Sequence, residues 1–103
     1  GRIVRIDPEL TMRTMADGLR VAQLGALPFA QIRAFVHDIV TVSEDQIADA
    51  IRRIAREARL VAEPSGAVAA AGALALGLAP HETVAVLSGG NIDFDRYAAI
   101  LGG

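Results

Sequence analysis

Lysine is missing from this chain: all ten basic residues among the 103 are arginine. There is thus no side-chain amine for covalent catalysis on a carbonyl compound, and no lysine to complete a phosphate-binding P-loop. Cysteine is absent too, which excludes a disulfide framework and a thiolate metal site and fits a cytoplasmic location. The two histidines, His37 and His81, stand far apart without ligand spacing, so no metal site is expected. A formal net charge of −2 gives no reason to expect nucleic acid or an anionic membrane surface as partner. The longest apolar run, GAVAAAGALALGLA at 66–79, is too short and too rich in Ala and Gly for a membrane span. The opening GRIVRIDPEL is alternating and charged, unlike a signal peptide. GxGxxG and a nucleophile elbow are both lacking, and no Ser-His-Asp set can be argued.

Hydrophobic residues make up 52% of the sequence, enough to bury a core, and the length suits one domain. Residues 2–6 (RIVRI), 38–42 (DIVTV) and 82–88 (ETVAVLS) read as strands, the last buried on both faces as in a parallel sheet. Pro28 opens a helix whose apolar face is Phe29, Ile32, Phe35 and Val36. The clearest helix follows Ser43, with Gln46 completing a capping box and Glu44 and Asp45 in the first turn. Its buried stripe is Ile47, Ile51, Ile54 and Ala58; Arg52, Arg53, Arg56 and Arg59 form a solvated face. Pro64 starts an Ala- and Gly-rich helix ending near Gly77, whose small side chains allow close packing. A last helix spans 93–101 with Asp93 as its cap. The alternation predicts an α/β fold: part of an open, mostly parallel sheet with flanking helices.

Three short stretches carry possible chemistry, each with a plainer reading beside it. LSGGN (87–91) ends a strand in a hydroxyl and two glycines, where open α/β sheets bind ligands. Gly89 and Gly90 let a flat ligand or a second loop come close, or simply serve a tight turn. In AEPSGA (62–67), Glu63 is either a carboxylate facing a ligand or an acid favoured by the helix dipole. In MADG (15–18), Asp17-Gly18 is most simply a turn, and Asp93 and Asp95 are capping and surface charges.

TMADGL, VAEPSGAVAAAGAL and VAVLSGGNIDFDR, in that order and with DIVTVSEDQIADAIRRI between the first two, resemble the C-terminal portion of the threonine/serine dehydratase and serine racemase family. Those are pyridoxal 5'-phosphate enzymes of the tryptophan-synthase-β-like fold, and the likeness runs from about Thr11 to Leu101. It implies that residues 1–103 are one piece, the C-terminal part of the large catalytic domain. It further implies that Ser88 hydrogen-bonds the cofactor's pyridine nitrogen, with Gly18, Glu63 and Gly89 alongside the ring. Asn91 matches an asparagine that lies near a nucleotide effector in some members. The family's Schiff-base lysine, phosphate-holding glycine loop and acidic cation cluster have no counterparts here, so no catalytic residue is expected in this chain and it should be inactive alone.

The expected parent is a dehydratase converting L-threonine to 2-oxobutanoate and ammonia. Its partners are an amino-acid substrate, the remainder of its own polypeptide and further copies in a homo-oligomer. A serine racemase, a hydroxyaspartate ammonia-lyase, or a non-enzymatic α/β module for binding or oligomerisation are the alternatives.

Overall fold

A computed structural model describes residues 1–103. Five helices carry the fold: α1 (Pro8–Thr11), α2 (Ala26–Phe35), α3 (Glu44–Arg53), α4 (Pro64–Ala75) and α5 (Phe94–Gly102). Short 3-10 turns occupy Asp17–Leu19 and Pro80–Glu82. Local chemistry sets most helix ends. The Ser43 hydroxyl accepts from Gln46 N–H at 3.2 Å, and the Gln46 side chain accepts from Ser43 N–H at 2.8 Å, which is the expected capping box. Pro64 opens α4, whose chain turns away at Gly77 with φ +60°. Asp93 accepts from the amides of Asp95 and Arg96 and so starts α5.

α3 packs lengthwise on α4. Ile47, Ala50 and Ile51 meet Ala67 and Ala71, and Ala16 and Ala62 complete the cluster. Alanine and glycine on α4 keep the two helices close, as their small side chains predict. α5 is held against α3 by Arg52, whose Nε donates to the Ile100 carbonyl at 2.8 Å. Arg52 is therefore half-buried and structural, while Arg53 pairs with Glu57 on an exposed face.

The expected stripe on α3 holds for Ile47 and Ile51, is half-buried at Ile54 and fails at Ala58, which is exposed. The cause is a change of helix type. Ile54–Ala58 form a wider π turn that rotates later side chains off the α-helical face, and the chain then stops at Arg59 with φ 59°. α2 begins at Ala26, two residues before the proline. Its proposed apolar face is only half-buried at Phe29 and Ile32, and Phe35 and Val36 stand exposed.

The three proposed strands form no ladder. Residues 2–6 make a single cross-chain bond, Ile6 N–H to the Ala22 carbonyl at 2.9 Å. Residues 38–42 and 83–88 run without backbone partners, and Glu82 belongs to the preceding 3-10 turn. A strand needs a partner at hydrogen-bonding distance to take its N–H and C=O groups; 38–42 and 83–88 line one cleft, yet no backbone hydrogen bond joins them. Val84 is 93% exposed, so the face expected to be buried is open.

The molecule is a slab of 40 × 35 × 19 Å with a radius of gyration of 14.7 Å, against about 13 Å for a compact chain of this length. Its accessible surface is 7482 Å², where a folded monomer of this mass exposes about 5,500 Å². Large apolar side chains contribute to the surplus of about 1,900 Å², among them Leu27, Phe35, Ile39, Val84, Val86 and Phe94.

Candidate functional site

The N-terminal end of α4 is where the three motifs meet. Glu63 is the N-cap residue, yet its side chain caps nothing. Its backbone N–H instead donates to the Gly89 carbonyl at 3.0 Å, tying the SGGN loop to the helix start. Gly66 faces the same loop: a β-carbon there would lie 2.5 Å from the Gly89 oxygen and 2.8 Å from its nitrogen. The Glu63 carboxylate lies directly against the Cα of Gly89. Gly90 is equally confined, since a β-carbon there would come within 2.5 Å of the Val61 carbonyl oxygen. A second chain segment, residues 61–66, thus occupies the space that the two glycines leave.

The MADG segment closes the other side. Gly18 N–H donates to the Ser65 hydroxyl at 2.8 Å and to Asp17 Oδ1 at 3.0 Å. Asp17-Gly18 is a turn, as its residue types suggest, and it is one built onto α4. Slight burial works to raise the Asp17 carboxyl, but the Gly18 amide and the Arg96 guanidinium, with the charge of Arg20, outweigh it and hold the group below the usual carboxylate range.

Gly18, Glu63 and Gly89, which lie up to 71 positions apart in sequence, are therefore gathered around one helix end. Ser88 sits at the entrance to the same loop. Its hydroxyl is exposed and engages no group of the chain, so it is free to bond a ligand. Ser65, Arg96, Glu44 and Met15 also build this region; the sequence marks Glu44 only as a first-turn acid and places Met15, Ser65 and Arg96 inside motifs without a role of their own. Ser65 had a signal, lying two residues after Glu63 in EPSGA; the other three meet only through the fold.

Two apolar clefts, of about 340 and 440 Å³, run along other sides of α4. Neither is lined by Gly18, Glu63, Ser88 or Gly89. Their Val, Ala and Leu walls suit protein packing and are a poor match for a phosphorylated, charged ligand. No helix is long and apolar enough to cross a membrane, and no cluster of His, Asp and Glu is set to hold a metal ion.

Comparison with known proteins decides the affiliation. Residues 1–89 match the family model described as pyridoxal-phosphate dependent enzyme. The chain belongs to that family. Within the pyridoxal-phosphate dependent enzymes it is 39% identical to the serine racemase of Schizosaccharomyces pombe, over 98% of this chain and 31% of the relative. It is also 39% identical to the L-threo-3-hydroxyaspartate ammonia-lyase of Saccharomyces cerevisiae, over 100% of this chain and 31% of the relative. The crystal structure of a T.th. threonine deaminase superimposes with a TM-score of 0.77 at 39% identity, covering 91% of this chain and 33% of the other. The chain thus spans about a third of the length of the relatives it matches.

The site residues fit one end of the family's cofactor. An unengaged hydroxyl at Ser88 and a half-buried carboxylate at Glu63 offer polar groups to a heteroaromatic ring, while Glu63 and Ser65 fill the space beside Gly89 and Gly18. The anchoring amine is not among them, as the chain has no lysine.

Proposed function

We propose that this chain is the C-terminal part of the large catalytic domain of a threonine/serine dehydratase, and that it contributes one wall of the pyridoxal-phosphate site. The observation that carries this reading is the convergence of Gly18, Glu63 and Gly89 on the N-terminal end of α4 beside the free hydroxyl of Ser88. Bound there, pyridoxal phosphate supplies an electron sink for charge developing at the amino acid's α-carbon. In this proposal Ser88 bonds the ring nitrogen. A neutral hydroxyl, unlike a carboxylate, does not fix a proton on that nitrogen, so Ser88 keeps the sink weak. That favours quick loss of a β-hydroxyl over a long-lived carbanion. Glu63, packed over Gly89, supplies the negative edge of the wall, and Ser65 holds Gly18 beside it.

The chain alone should be inactive, because the lysine that would anchor the cofactor lies on other polypeptide. The surplus surface of about 1,900 Å² supports the rest of the parent chain as the main partner, beyond any homo-oligomer contact. The same surplus, together with strands that lack a ladder, weighs against a free-standing binding module.

Racemisation of serine, or ammonia loss from hydroxyaspartate, is the second reading, supported by two relatives of equal identity that bear those names. The test is the full-length parent supplied with pyridoxal phosphate and assayed on L-threonine, L-serine and L-threo-3-hydroxyaspartate. The proposal expects cofactor absorbance and 2-oxobutanoate from threonine. D-serine without 2-oxo acid would move the assignment to a racemase, and absence of both cofactor and turnover would end it.

A further inference from the structure

We propose that Arg96 is a positioning residue for the cofactor wall: it locks the Met15–Gly18 turn against α4 and so fixes where Gly18 stands. The inference rests on the cofactor reading above. It starts from the weakness of the turn itself. Asp17–Leu19 is a single 3-10 turn, and its N-cap residue, Ala16, has no side chain with which to cap it. Arg20, forked onto the Thr14 carbonyl, and Asp17, accepting from Gly18, hold the shape of the segment, but its placement against the helices comes from groups outside it.

Arg96, on α5 and 79 residues beyond Asp17, supplies that hold. Its Nη2 donates to the Met15 carbonyl at 2.6 Å and its Nη1 to Asp17 Oδ2 at 3.3 Å. The Met15 N–H in turn donates to Glu44 Oε2 at 2.7 Å. Both faces of Met15 are thus tied, one to α5 and one to α3, while Ala16, 2% exposed, is sunk in the core. The Asp17 ion pair, with side chains 37% and 51% exposed, is a minor part of this. The part-buried bond to the Met15 carbonyl carries more, because a charged donor on a neutral acceptor is a strong pairing. Only a planar fork reaches both acceptors at once, which a lysine ammonium does not reproduce. Arg96 lies outside the 1–89 stretch that the family model matches, and although it closes the VAVLSGGNIDFDR stretch no role attaches to it there.

The experiment uses the full-length parent as wild type, Arg96→Gln, Arg96→Lys, Asp17→Asn and Arg52→Gln. Arg52→Gln loosens α5 from α3 without touching the turn and controls for simple loss of helix docking. Pyridoxal phosphate affinity is read by absorbance titration, and hydrogen exchange over residues 15–18 is followed in the apoprotein. Arg96→Gln should speed exchange at 15–18 and weaken cofactor binding about tenfold. Arg96→Lys should recover only part of that, and Asp17→Asn should cost about twofold. Arg52→Gln should lower the unfolding temperature and leave affinity as in wild type. Equal affinities for wild type and Arg96→Gln would overturn the inference alone, as would a matching loss in Arg52→Gln. A wild-type protein that takes up no cofactor would overturn the reading beneath it and the inference together.

Discussion

Replacing Gly66 with alanine and replacing Gly72 with alanine are the same chemical change on the same buried helix, and they should have opposite effects. Ordinarily Gly→Ala in a helix gains about 1 kcal/mol in propensity. At Gly72 the new methyl would meet Val40 Cγ2 at 3.6 Å, an ordinary van der Waals contact, so the gain should be kept. At Gly66 it would meet the Gly89 oxygen at 2.5 Å, about 0.9 Å inside the 3.4 Å where ordinary contact begins. Backbone atoms have no rotamer into which to retreat. The SGGN loop must back away, and the bond from Glu63 N–H to the Gly89 carbonyl stretches with it. Overpacking of this kind costs about 1–3 kcal/mol, which outweighs the propensity gain. A net loss of up to about 2 kcal/mol is expected, a drop of as much as a few degrees in unfolding temperature for a chain of the parent's size. The functional effect should be larger. A shift approaching 1 Å in the loop that carries Ser88 should weaken cofactor binding by about tenfold or more. Thermal unfolding and cofactor titration of the full-length parent measure both. If Gly66→Ala proves as stable as Gly72→Ala and binds cofactor like wild type, the loop does not sit on α4 as described.

Ser88→Ala in the parent should weaken pyridoxal-phosphate affinity by roughly 3- to 10-fold, the worth of one hydrogen bond, and slow β-elimination; titration and a 2-oxobutanoate assay check it, and unchanged values remove Ser88 from the site. Ser43→Ala breaks the capping box of α3 and should cost about 1 kcal/mol in unfolding experiments, with cofactor affinity retained. The lowered carboxyl of Asp17 contributes stability that is complete above the ordinary Asp value of about 3.9 and is lost as pH falls through its lower folded value. Curves of unfolding temperature against pH for wild type and Asp17→Asn should therefore lie apart at neutral pH and converge in acid; parallel curves would refute the coupling.

Helix starts were legible because their causes are local. Ser43 with Gln46, Pro64 and Asp93 each satisfy amides within a few residues, and each sits where its chemistry put it. The stop at Arg59 was not legible. A left-handed residue after a π turn is a response to packing, and an arginine gives no hint of it. The strands were overread in one respect. β-branched runs mark segments able to enter a sheet, but a ladder needs a partner at hydrogen-bonding distance, and 38–42 and 83–88 make no backbone bond among these residues. The site was half legible. Short glycine motifs alone left the turn and ligand readings open; only the ordered set of three, by its resemblance to known enzymes, suggested that they meet. Arg96 shows the limit most clearly, because nothing in DFDRY distinguishes a guanidinium that bonds Met15 from one that faces water.

The uncovered area of the slab has a practical side. At about 1,900 Å² on one side it is more than twice the roughly 800 Å² per partner of a standard interface between separate proteins, and its Val, Leu and Phe content resembles a permanent one. A parent gene divided just ahead of this stretch should give two polypeptides that find each other without a peptide bond between them. Co-produced, they would assemble in trans and restore the turnover proposed for the parent. Produced separately, this piece should collect in inclusion bodies, and mixing the two refolded pieces would turn the scar of an incomplete core into a switchable, two-part catalyst.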